Sequence, residues 1–137
     1  MNLLEEINFL SKCKSTNLPF INLFLDSRKT ESGKRICDRF LKAKYDFICY
    51  EFLLSGGDNH SFKKSWNIIQ DILDNKLHEA TKGLILILRP GADGEILFIK
   101  QFKFPIENKI IVDGIPQICH LIELINKKNI NHKMGIG

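Results

Sequence analysis

The sequence predicts an α+β fold: a mixed sheet of about four strands, a long helical hairpin packed on one face, and further helices at the N- and C-termini. Three observations carry this expectation. Two amphipathic stretches of helical period fill residues 33–82, on either side of the turn Ser55-Gly56-Gly57-Asp58-Asn59-His60. Apolar runs at 20–25 and 84–88 flank that pair and have the composition of buried strands. Arg89-Pro90-Gly91-Ala92-Asp93-Gly94 then supplies the turn residues of a hairpin.

Taken in order, residues 2–14 place Leu3, Leu4, Ile7, Phe9, Leu10 and Cys13 near helical spacing, which predicts a short helix over one end of the core. Ser15-Thr16-Asn17 breaks it, and Pro19 favours extended backbone just before it. In the strand at 20–25 only Asn22 is polar, as expected of an internal strand. From Gly33 a helix is expected, with Ile36, Phe40, Ala43, Phe47 and Tyr50 as its core stripe and Cys37, Leu41, Ile48 and Phe52 widening it. Gly56-Gly57 closes it, because glycine reaches the left-handed backbone that ends helices.

Asp58, Asn59 or Ser61 can cap the second helix, whose core positions are Phe62, Trp66, Ile69, Leu73, Leu77 and Ala80. Strands follow at 84–88, 95–104 and 108–112. Pro116 opens a closing helix lined by Ile118, Leu121, Ile122 and Ile125, and residues 127–137 form a basic tail with little periodicity. Because two helices connect the first strand to the second, those two are expected to be parallel, with a right-handed crossover.

At 137 residues, 44% hydrophobic and 26% charged, the chain is expected to form one domain, 1–137, burying about two thirds of its extended surface. No apolar run nears the ~20 residues of a bilayer span, and Met1-Asn2-Leu3-Leu4-Glu5-Glu6 carries acid where a signal peptide carries base. A cytoplasmic protein without membrane contact is the expectation. Cys13, Cys37, Cys49 and Cys119 form no C-x-x-C pair, which points to free thiols in a reducing compartment rather than a zinc site.

The net charge of +4 is unevenly placed. Between Arg28 and Lys44 seven bases meet two acids, a net +5 that leaves −1 for the remainder. Arg28 and Lys29 lead into the first long helix, Lys34 opens it, and Arg35, Arg39 and Lys42 share one helical stripe. Lys63 and Lys64 stand in the first turn of the second helix, against its dipole, where an anion would compensate them. These eight residues are the candidate RNA-binding set, since cations on a rigid rod match phosphate spacing and release counterions.

Other constellations reduce to structure. Asp58, His60 and Ser61 are too close in sequence to converge as a triad and read as a helix cap. Cys119 and His120 point about 100° apart on a helix, and read as a core thiol beside a half-exposed histidine. Asp93-Gly94-Glu95 is a turn, and Asp71 and Asp74 lie on an outer helix face without further ligands. Trp66 and the phenylalanines at 40, 47, 52 and 62 fall at core spacing. No glycine pattern cradles a nucleotide. No catalytic residue, metal, cofactor or small-molecule substrate is expected.

Several stretches together resemble the N-terminal domain of the archaeo-eukaryotic class I peptide-chain release factors, most closely the bacterial branch. They are Phe20-Ile21-Asn22-Leu23-Phe24-Leu25-Asp26, Gly33-Lys34-Arg35 and Lys82-Gly83-Leu84-Ile85-Leu86-Ile87-Leu88, then Phe104-Pro105-Ile106-Glu107-Asn108-Lys109-Ile110-Ile111-Val112, Ile115-Pro116 and Leu121-Ile122-Glu123-Leu124-Ile125. The resemblance covers about 18–126. It implies a translation-associated module that meets the ribosome or tRNA. Members that release peptides use a Gly-Gly-Gln loop in a central domain, whereas the only Gly-Gly here is Gly56-Gly57, followed by Asp58. The hairpin tip reads Asp58-Asn59-His60-Ser61 in place of the eukaryotic Asn-Ile-Lys-Ser. Neither peptidyl-tRNA hydrolysis nor codon reading is therefore expected. The resulting expectation is a non-catalytic module binding RNA phosphates through a basic helix face. The alternative is a protein-interaction or homodimerisation domain with no nucleic-acid role.

Overall fold

The computed structural model describes residues 2–13, 18–90 and 95–136, with side chains described to residue 127. Its elements run α1 (Leu3–Ser11), β1 (Phe20–Asp26), α2 (Ile36–Leu54), α3 (Asn59–Asn75), β2 (Gly83–Arg89), β3 (Glu95–Phe102), β4 (Lys109–Asp113) and α4 (Ile118–Ile136). The strands form one sheet in the order β3-β2-β1-β4. The expected α+β class, with the helical hairpin on one sheet face, is what forms.

One feature of the sheet differs from expectation. It is not mixed: β1 pairs antiparallel with both β2 and β4, and β2 pairs antiparallel with β3. The cause lies in the connection between β1 and β2. One helix would return the chain to the starting end of the sheet and give a parallel pair. Here α2 and α3, 19 and 17 residues long, run in opposite directions and cancel, so β2 enters at the end where β1 leaves.

Side chains alternate across the strands. Ile21, Leu23 and Leu25 of β1 with Leu84, Leu86 and Leu88 of β2 face the hairpin, meeting Cys37, Leu41, Ile48 and Phe52 of α2 and Phe62, Trp66, Ile69, Ile72 and Leu73 of α3. Phe24, Ile85, Ile87 and Phe98 face the other way, toward Leu10 of α1, Ile106 and Leu121 of α4. Both faces are therefore covered, which is why β1 is apolar and buried throughout. Before the closing Asp26, Asn22 is the polar residue inside the strand. Its amide donates to the Ile111 carbonyl (3.1 Å) and its Oδ1 accepts the Gln117 N–H (2.9 Å), fastening β4 and the approach to α4 onto the central strand.

Two boundaries shift. Backbone helix continues to Ile136 where a non-periodic tail was expected, and α3 stops at Asn75, leaving Ala80 exposed outside it. The residues 14–17 and 91–94, to which a break and the tip of a hairpin turn were assigned, lie outside the described residues, as do the side chains of Lys128 and Lys133.

Within α2 the stripes exchange roles. Cys37, Leu41, Ile48 and Phe52 are buried, whereas Ile36, Ala43, Phe47 and Tyr50 are exposed and only Phe40 of the expected core set packs inward. Two apolar stripes wind along this helix with the same period, so period alone does not say which one meets the sheet.

Candidate nucleic-acid interface

The segment between β1 and α2 is a small hairpin rather than the start of a helix. Lys29 and Arg35 form an isolated antiparallel bridge, the Thr30 N–H donates to the Lys34 carbonyl (2.6 Å), and the Gly33 N–H donates to the Thr30 carbonyl (3.0 Å). Gly33 takes φ +85°, a left-handed conformation that suits glycine in such a turn. The Ile36 N–H then donates to the Arg28 carbonyl at 2.8 Å. Lys29 and Lys34 thus project from a loop.

Beside that loop lies a hollow of about 400 Å³ lined by Thr30, Ser32, Lys34, Arg35, Ile36, Asp38 and Arg39. The Thr30 and Ser32 hydroxyls are 2.9 Å apart. Lys34 and Arg39 are exposed on its wall. Asp38 accepts the Arg35 backbone N–H at 2.9 Å, so its carboxylate takes the usual anion's place at the first turn of α2. The corner is cationic and rich in hydroxyls, with one acid already engaged.

The eight candidate residues do not share one face. Arg28 is held by Asp26, its Nε at 2.9 Å and its Nη2 at 2.7 Å from the two carboxylate oxygens. That bidentate partner raises the Arg28 pKa further, mainly through the hydrogen bond and secondarily through the adjacent charge. Arg35 turns away from solvent. Its Nη1 donates to the Ser27 carbonyl (2.7 Å) and its Nε to the Leu73 carbonyl (3.1 Å). Lys29, Lys34 and Arg39 remain exposed around the corner.

Lys42 is exposed farther along α2, on a groove of about 430 Å³ between the two helices that also carries Asp38, Asp46 and Asp74. Three carboxylates against one amine make that groove unfavourable for phosphate. The signal that could have shown it is the spacing of Asp38, Lys42 and Asp46, four residues apart on one helix side. Lys63 is exposed and Lys64 half-buried, both at the hairpin tip. At 1.5 Å per residue, α2 sets that tip about 27 Å from its own first turn. Two separate basic clusters therefore replace the continuous stripe.

The remaining constellations are structural. The Asp58 carboxylate accepts from the Ser61 N–H and the Ser61 hydroxyl, both at 2.8 Å, capping α3 without His60. Burial against the Phe24 ring (centroids 4.4 Å apart) lowers the His120 pKa, while Cys119 is exposed. The histidine is half-buried as expected, but the thiol expected in the core lies on the surface, because Ile118, Leu121 and Ile125 fix the phase of α4. Trp66 is buried, stacked on Phe62 at 5.5 Å and edge-on to Tyr45 at 5.1 Å, so it offers no ring face to a base. Asp71 pairs with Lys76 at 3.3 Å. Among the described residues, no cluster of histidine, cysteine or carboxylate is arranged to hold a metal, and no helix is long and apolar enough to cross a membrane.

No family model, curated protein or solved structure matches this chain.

Proposed function

We propose that this chain is a non-catalytic, translation-associated module, akin to a release-factor N-terminal domain, that holds RNA phosphates at the corner where β1 passes into α2. The observation that carries this reading is the hollow bounded by Lys34, Arg39, Thr30 and Ser32, with Lys29 beside it. Charge and hydroxyl donors converge there without aromatic faces or base-reading amides, which suits backbone phosphate and not sequence. The order and spacing of the motif-bearing stretches between about 18 and 126 support the translational setting. The footprint is a corner and not the helix-long face that the sequence suggested, since Arg28 and Arg35 are committed to protein partners.

Binding to transfer RNA or to a ribosomal RNA hairpin, measured across a salt series, tests this. Affinity should fall steeply with salt, at a log–log slope of about −2 to −3 for two or three neutralised phosphates. Lys34→Glu and Arg39→Glu should each weaken binding by about tenfold or more, with Lys63→Glu far less effective. No binding at low salt, or full binding by the Lys34→Glu, Arg39→Glu double variant, rules the reading out.

A further inference from the structure

The outer side of α2 carries an apolar seam of which the fold uses only Phe40, packed against the core. Ile36, Phe40, Ala43, Phe47, Tyr50 and Leu54 recur at alternating steps of four and three, the heptad pattern of helices that pack along their length. Its distal half is the more open: Phe47 is 56% exposed, Tyr50 60%, Leu54 67%, and Leu53 on the flank 43%. These exposed apolar side chains follow one line along the helix, the kind of patch that serves as an interaction site.

We propose that this seam is a homodimer interface, in which α2 packs antiparallel against α2 of a second copy about a two-fold axis between Phe47 and Tyr50. The flanking charges select the occupant and the register. In that register Phe47 meets Tyr50 of the second copy and Ala43 meets Leu54. Lys44 and Glu51, seven residues apart on one flank, then each face the other's counterpart, so two opposite-charge pairs form from one self-complementary edge. Centring the contact between Ala43 and Phe47 instead would set Lys44 against Lys44 and Asp46 against Asp46. Sliding it toward Ile36 would leave Tyr50 and Leu54 in water. The Lys44 ammonium lies 5.9 Å from the Phe47 ring centroid, at the margin of the seam. Two stripes with their flanking stems remove about 1,000 Å² in total, the size of a weak, reversible interface, in keeping with self-association in the micromolar range. This inference does not depend on the RNA reading.

Sedimentation and light scattering of the full chain test it. The mass should rise from 15.8 kDa toward twice that value as concentration passes through the micromolar range. Phe47→Glu and Tyr50→Glu should each give a monomer, with a melting temperature matching that of the wild type at monomeric dilution. Lys44→Glu and Glu51→Lys should each weaken the dimer by about tenfold, and the two together should restore it. A chain monomeric to about 1 mM overturns the proposal. So does a dimer that survives Phe47→Glu, or a double charge exchange that fails to restore association.

Discussion

Arg35 joins two parts of the chain that lie far apart in sequence: its guanidinium donates to the Leu73 carbonyl in the last turn of α3 and to the Ser27 carbonyl just past β1. A cation at that helix end also meets the negative pole of its dipole.

Replacing Arg35 by alanine should therefore cost stability before it costs any binding. Two charge-assisted bonds to main-chain carbonyls are lost, and about 1–3 kcal/mol should disappear from the free energy of unfolding in urea. Arg39→Ala, on an exposed side chain, should change that quantity by less than about 0.5 kcal/mol. Equal effects from the two substitutions would show that Arg35 has no bracing role.

The glycines separate space from conformation. A Cβ at Gly83 would lie 2.5 Å from the Phe104 carbonyl oxygen and 2.8 Å from the Ile106 side chain. Gly83→Ala at the entry to β2 should lower stability by about 1–3 kcal/mol, the typical cost of overpacking. At Gly33 a Cβ meets nothing within 4 Å, and only the positive φ resists it. Gly33→Ala should cost about 1 kcal/mol. Thermal melts of both variants give the comparison, and Gly33→Ala proving the worse would contradict this packing.

Asp58 makes the hairpin sensitive to acid. The Ser61 backbone N–H, then the Ser61 hydroxyl, hold its carboxyl below the ordinary aspartate value. A carboxyl so depressed contributes its stabilisation fully above the unfolded-state pKa and loses it as pH falls through the folded one. Asp58→Ala should melt below the wild type at pH 7, and the gap should close as the pH drops below about 4. A gap independent of pH would mean that the charge is not what the cap uses.

Much of this arrangement was legible from residue order. Apolar runs without alternation fixed β1 and β2 as strands covered on both sides, and the glycine pair with Asp58 marked the turn between the helices. Strand direction was not legible from the presence of helices in the connection, because it depends on the parity of the crossings between β1 and β2. The face of α2 was not legible either. Leu41 and Phe47 are both apolar, and what separates them is that Leu41 joins the buried cluster of Leu23 and Leu86 from the sheet, residues distant in sequence. The basic set failed in part for a local reason. Asp26 lies two residues before Arg28, just outside the stretch from Arg28 to Lys44 whose charges were summed, so its role as a counterion was missed.

Because α2 and α3 undo each other's travel, the arm they build can telescope. One added turn in each, about 5.4 Å of length, would carry Gly56-Gly57 farther out while returning the chain to the same point beneath Gly83. The pairing of β1 with β2 would not register the change. Reach is thus a dimension that selection can alter here without renegotiating the interior, provided the two insertions match.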